Sequence, residues 1–207
     1  MTDTQKSNRR EEIQNYKRQK ILDAASRLFQ QNGLEGTTMR AIAKQAGYST
    51  GAPYAYFQSK EEIYSELLFV SLKNLTTAVK AASQNANSPT EKVTSAFRAY
   101  AQFYLRHPED LQLGLYLFSS GQVRKQGFSD ETNRLLNGKL TALLGSMAHL
   151  VHQAADLEAE TAQTETLDTI SFITGTLILS ETGRLSLFGA SAEEMIDRHI
   201  QQMLKRF

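Results

Sequence analysis

The chain contains no cysteine and no tryptophan. The first absence excludes disulfides, thiolate metal sites and cysteine nucleophiles. Proline is scarce, with Pro53, Pro89 and Pro108 the whole complement, so most of the chain is open to long helices. No apolar run is long either. The longest stretch free of Asp, Glu, Lys and Arg is Leu140 to Ala155, 16 residues that include two His, a Gln and a Ser. It falls short of the ~20 apolar residues of a membrane helix. The opening MTDTQKSNRREE lacks the apolar core of a secretion signal, so a cytoplasmic protein is expected. What remains is an ordinary globular mixture, 41% hydrophobic and 22% charged over 207 residues, enough for one domain or two small ones.

The net charge of +1 conceals an asymmetry. The first 60 residues carry ten Lys/Arg and five Asp/Glu, whereas the remaining 147 sum to −4. A basic end of this kind points toward a polyanionic partner.

Apolar residues recur at helical spacing, and alternating strand patterns are absent. A first helix is expected over about Glu11 to Gln31, with Asn32-Gly33 as its stop and residues 1–10 as a flexible tail. Thr38 can cap a short second helix ended by Gly47. Ser49 can cap another, through about Phe57. Ser59-Lys60-Glu61-Glu62 is a capping box, in which a Ser hydroxyl and a Glu carboxylate three residues on satisfy orphan amides. It opens a connecting helix over 59–86. Ser88-Pro89-Thr90-Glu91 starts the next helix, which Pro108 breaks. A short apolar segment, Leu111 to Ser120, follows. Further helices are expected over Glu131 to Ala155 and about Ala162 to Leu187. A third box, Ser191-Ala192-Glu193-Glu194, begins the last. The fold class is all-α, with about nine helices.

Residues 37–60 carry the functional signal. Two helices of eight or nine residues flank a tight turn at Gly47-Tyr48-Ser49. Helices that short are marginal in water and persist only when packed. A capped short helix, a Gly-containing turn and a second short helix form a helix-turn-helix arrangement, which can set its second helix in the DNA major groove. Thr50, Gly51 and Ala52 are small, so bases can approach. Tyr54 and Tyr56 offer hydroxyls to phosphate or base edges. Arg40 and Lys44 lie one turn apart and project on the same side. Lys60 sits in the first turn of the following helix, where a cation and free amides suit a phosphate. No carboxylate lies between Glu35 and Glu61.

This stretch resembles the DNA-binding domain of the TetR family of bacterial regulators. The matching residues are Gly36-Thr37-Thr38, Ile42-Ala43, Ala46-Gly47, Ser49, Gly51, Tyr54, Phe57, Ser59-Lys60-Glu61-Glu62 and Tyr64-Leu67, preceded by Ile21-Leu22-Asp23-Ala24-Ala25 and Leu28-Phe29. The resemblance covers about residues 17–68. It implies a three-helix DNA-binding domain over 11–58 and a ligand-binding and dimerisation bundle over 87–207. It also implies that Thr38, Arg40, Lys44 and Ser49 lie on the DNA side, that Thr50, Gly51 and Ala52 face bases, and that Tyr54, Tyr56 and Lys60 anchor the backbone. Pro53 departs from the pattern, standing where a large apolar residue is usual.

The same resemblance implies a homodimer on a palindromic operator and a pocket for a small-molecule effector, with no other cofactor. Phe103, Tyr104, His107, Tyr116, Phe118, Phe128, His152, Phe172 and Thr176 are its candidate pocket residues. Ser171, Gly175, Ile178, Thr182, Met195, His199 and Met203 are candidates for a dimer face. His149 and His152, one turn apart, make a conceivable metal pair, yet no acidic neighbour in sequence supports one. Neither a nucleophile motif nor a Gly-rich phosphate loop appears, so catalysis is not expected. The expected function is a ligand-responsive repressor. The alternatives are an activator or dual regulator of the same fold, or a helical adaptor that binds protein without DNA.

Overall fold

The computed structural model describes residues 3–119 and 128–206. Its α-helices are α1 (Asp3–Asn32), α2 (Met39–Ala46), α3 (Lys60–Gln84), α4 (Pro89–Arg106), α5 (Pro108–Ser119), α6 (Asp130–Ala155), α7 (Ala159–Glu181) and α8 (Ala192–Leu204). Two short 3-10 helices, Ala52–Ala55 and Ser186–Phe188, complete the order. Among the described residues there are eight α-helices and no strand. None of these helices is long and apolar enough to cross a membrane.

α1 starts at Asp3, well before the expected Glu11, so the anticipated tail is helical. Gln5, Lys6, Arg9 and Arg10 are straight-chain residues with good helix propensity, and nothing there breaks a helix. The expected caps formed except at Ser49, since the 3-10 helix after it has Gly51 at its cap position and no side-chain cap. Thr38 Oγ1 accepts from the Ala41 amide at 3.1 Å and Ser88 Oγ from Glu91 at 3.1 Å. Ser59 Oγ accepts from Glu62 at 3.2 Å, and the Glu62 carboxylate accepts in return from the Gln58 amide. Each such cap is worth about 1 kcal/mol.

The chain divides into two compact units, Met1–Val70 with Gln112–Asn133, and Ser71–Leu111 with Arg134–Phe207. The division falls inside α3 and α5. In the first unit, Ile21, Ala25 and Phe29 of α1 are buried together with Ile42 and Ala43 of α2, Phe57, and Ile63 and Tyr64 of α3. Burying a large side chain of this kind is worth about 1.5–3 kcal/mol. That packing is what makes the eight-residue α2 persist.

In the second unit α4, α7 and α8 pack on one another. Val93, Phe97, Ile173, Leu177, Ile196, Ile200 and Met203 fill its core. Met203 is wholly buried within its own chain, so it cannot belong to the dimer face expected of it. On α8 every third or fourth residue turns inward, and Met203 falls on that inward stripe with Ile196 and Ile200. His199 stacks on Phe172 with ring centroids 4.0 Å apart. Burial first, and Arg206 second, hold the His199 imidazole below its ordinary value of 6.5, against an opposing pull from Glu165 and Asp168. The folded chain therefore binds this proton less readily than the unfolded chain. Stability is lost as pH falls below about 6.5. Melting curves followed down to about pH 5.5 should show this decline, and His199→Gln should flatten it.

Candidate nucleic-acid interface

The first unit builds one exposed face from α2 and the turn that follows it. Met39, Ile42 and Ala43 of α2 point into the core. At helical spacing the opposite side then carries Arg40 and Lys44, and both are exposed. Gly47 ends the helix at φ +78, a conformation open to glycine at little cost. The Tyr48 amide returns to the Ala43 carbonyl at 2.9 Å, closing the turn.

The expected third helix is not an α-helix of eight or nine residues but a single 3-10 turn, Ala52–Ala55. Pro53 is the physical cause. It has no amide to give the Ser49 carbonyl, so that carbonyl takes the Ala52 amide at 3.0 Å instead. Tyr54 bonds back to Gly51 at 3.2 Å and Tyr56 to Pro53 at 2.9 Å, all with three-residue spacing. The Pro53 ring is buried, in the place where a large apolar residue was expected. Ser49, Thr50 and Gly51 stay exposed, Ala52 and Tyr56 are half-buried, and Tyr54 is 57% exposed. Thr38, Arg40 and Lys44 are exposed as well, and Lys60 is half-buried, so all ten expected interface residues present at least part of their surface to solvent.

Lys60 is the tenth, and its ammonium turns inward. Nζ donates to the carbonyls of Leu34 at 2.7 Å, Thr37 at 3.0 Å and Glu35 at 3.5 Å. Thr37, wholly buried, fastens the same segment through Oγ1, which donates to Gly33 at 2.7 Å and Leu28 at 3.2 Å. Beneath the face, Arg18 of α1 pairs with both carboxylate oxygens of Glu66 and lies 4.8 Å from the centre of the Phe57 ring. Tyr64 packs edge-on against Phe29 at 5.2 Å and donates its hydroxyl to the Leu113 carbonyl at 2.6 Å. These supports were missed in the sequence because each joins residues 23 or more positions apart, except for the local Thr37 bonds.

The expected effector residues are only partly brought together. Phe128 belongs to the first unit, where it stacks with Tyr64 at 6.3 Å. His152 is exposed and donates through Nδ1 to the Leu157 carbonyl. Its ring stacks with His149 at 6.1 Å. Phe103, Tyr104 and His107 do form a chain of touching rings, with Tyr100 against Tyr104 at 5.2 Å. Burial pushes the phenols of Tyr100 and Tyr104 above their usual range, so both stay neutral donors at physiological pH. Thr176 is buried and Phe172 is held by His199. The side chains of Tyr116 and Phe118 lie outside the described residues. A groove of about 290 Å³ runs between α4 and α8, lined by Arg98, Gln102, Leu105, Glu193, Ile196 and Asp197 among others. None of the expected pocket residues lines it.

A helix, a left-handed glycine turn and a short second helix, raised on a buried core with a carboxylate-free outer face, define a helix-turn-helix domain. Residues 21–67 match the family model described as bacterial regulatory proteins, tetR family. The chain is 37% identical over 83 residues to the HTH-type transcriptional repressor KstR2 of Mycolicibacterium smegmatis, a match covering 40% of each chain. It is 45% identical over 58 residues to the HTH-type transcriptional regulator AcrR of Shigella flexneri, covering 28% of this chain and 27% of that one. These matches thus span well under half of the relatives' own length. Among solved structures, the fatty acid degradation regulator FadR of Bacillus halodurans superposes with a TM-score of 0.71 at 15% identity, over 91% of this chain and 94% of that one. PfmR of Thermus thermophilus, a TetR family transcriptional regulator, gives 0.69 at 19% identity, over 89% and 97%. Those two share the fold. Residues 21–67 are thus similar to the amino-terminal domain of the bacterial regulatory proteins of the tetR family.

Proposed function

We propose that this protein is a DNA-binding transcriptional repressor that acts as a homodimer in the cytoplasm and is released from its operator by a small molecule. The observation that carries the reading is the outer face of α2 and the 3-10 turn. Arg40, Lys44 and Tyr54 stand exposed there, and no carboxylate occurs between Glu35 and Glu61. Small residues 49–52 let a duplex approach, and cations supply the phosphate attraction that dominates affinity. The names of the two curated relatives, a repressor and a regulator, favour transcriptional control over a protein-binding adaptor.

A second copy is supported by the exposed side of α7. Leu167, Ser171, Gly175, Ile178 and Thr182 are all exposed at three- or four-residue steps. Leu187 and Phe188, 79% and 87% exposed, follow in the next turn. Met195 and His199 on α8 are half-buried and available to the same face. A two-fold pair would place two reading turns about 34–36 Å apart, or a multiple of that, on a palindrome. For the effector, the neutral hydroxyls of Tyr100 and Tyr104 and the buried, unpartnered Thr169 Oγ1 are polar groups inside a bundle whose core is mostly apolar. They suit an amphipathic molecule. Such a ligand lowers operator affinity over a hundredfold if it prefers the released state by ~3 kcal/mol.

Fluorescence anisotropy with duplexes from the DNA upstream of the protein's own gene tests this reading. Lys44→Ala should weaken every duplex alike and reduce the salt slope by about one, as for a phosphate contact. Tyr54→Ala should also weaken all sequences. Arg40→Ala should cost about 1–3 kcal/mol and relax preference at one base position if Arg40 reads a base edge. A wild-type protein that binds no duplex at low salt would refute the reading.

A further inference from the structure

We infer that Lys60 is a positioning residue that aims the reading elements from inside the domain, and not one of the groups that grip the DNA backbone. The inference rests on the DNA-binding reading above. Its foundation is a count of donors. An ammonium has three N–H groups and accepts nothing. Three carbonyls, those of Leu34, Thr37 and Glu35, converge on Nζ at 2.7, 3.0 and 3.5 Å. The bonds to Leu34 and Thr37 are short and the contact to Glu35 is long, so on a half-buried side chain the ammonium is already committed to the domain's own backbone.

The three carbonyls belong to the segment that leaves the end of α1, where partial negative charge accumulates and a cation is favoured. That segment has little freedom. Leu34 and Thr37 are buried, and Thr37 Oγ1 is bonded to the Gly33 and Leu28 carbonyls. It leads directly into Thr38, the cap of α2, and Arg40 follows two residues later. Lys60 itself is the first residue of α3. One side chain therefore ties the start of α3 to the backbone that sets the direction of α2. Removing it frees the segment to turn, and the outer face loses its alignment while keeping its charges.

Two experiments test this. In the first, the free full-length protein is treated with trace acetic anhydride and lysine reactivity is read by mass spectrometry. Lys60 should be several-fold less reactive than the exposed Lys44 before any DNA is added. Equal reactivity, with protection only on a bound duplex, overturns the proposal. In the second, Lys60→Met and Lys44→Met are compared on a duplex selected by the wild type from a random pool and on an unrelated duplex, across about 50–200 mM salt. Lys60→Met should lose about tenfold or more on the selected duplex, keep its affinity for the unrelated one, and retain the wild-type salt slope. Lys44→Met should lower the slope by about one. A Lys60→Met protein that weakens on both duplexes together, with the slope reduced by about one, overturns the proposal. A merely stabilising lysine would lower the melting temperature without changing the ratio of the two affinities, and that result overturns it as well. A wild type that selects no duplex refutes the DNA reading and leaves the labelling result to stand by itself.

Discussion

Tyr64→Ala is expected to lower the unfolding free energy by about 3–5 kcal/mol, the range for deleting a fully buried aromatic ring. Tyr64 is 2% exposed and works in three directions. Its ring edge packs on Phe29 of α1 at 5.2 Å, its face lies near Phe128 at 6.3 Å, and its hydroxyl donates to the Leu113 carbonyl at 2.6 Å. The ring joins α1, α3 and the segment Gln112–Asn133 within one unit. For a chain of this size the loss corresponds to a drop of roughly 6–20 °C in melting temperature. Tyr64→Phe separates the contributions. It keeps both ring contacts and removes only the hydroxyl, so its cost should be about 1 kcal/mol. Urea titrations of the two variants check the expectation, and near-equal losses would mean that the hydroxyl rather than the ring holds the unit together.

The second large effect belongs to Gly36→Ala. A Cβ built at Gly36 would stand 2.3 Å from the Asn32 carbonyl oxygen and 3.1 Å from the Asn32 Cβ. The obstacle is backbone at the end of α1, which cannot swing aside as a flexible side chain does. The segment must move, at a cost of about 1–3 kcal/mol or more. Because the same segment leads into the Thr38 cap, affinity for DNA should fall along with stability. Gly51→Ala is the matched control: nothing lies within 4 Å of a Cβ there, so its melting temperature should stay near that of the wild type. Equal melting temperatures for the two variants would show that the loop after α1 yields more easily than its geometry implies.

What the sequence revealed and what it concealed follow the distance between interacting residues. Thr38, Ser59 and Ser88 were legible as caps because each hydroxyl meets an amide three residues away. The apolar stripe of α8 was legible for the same reason, although Met203 lay on its inward side. Pro53 was visible as a departure, but its consequence was not. A missing amide late in the first turn of a helix costs little, whereas here it also selects the three-residue spacing of the whole element. The pairings of Lys60 with Leu34, Arg18 with Glu66 and Tyr64 with Phe128 leave no periodic trace. Phe128 read as one more aromatic among the expected pocket residues, since nothing local distinguishes a ring that faces a ligand from one that faces Tyr64. The second unit was legible as helices and little more. Its exposed α7 side and its buried tyrosines both follow from tertiary packing.

The single turn centred on Pro53 has an engineering corollary. A stylus one turn long, pinned by a ring sunk in the domain, has almost no backbone able to bend toward a new target. On the proposed reading, retuning it to another duplex means exchanging a handful of tip side chains at positions 49 to 52 and 54, with no need to redesign the shaft that holds them.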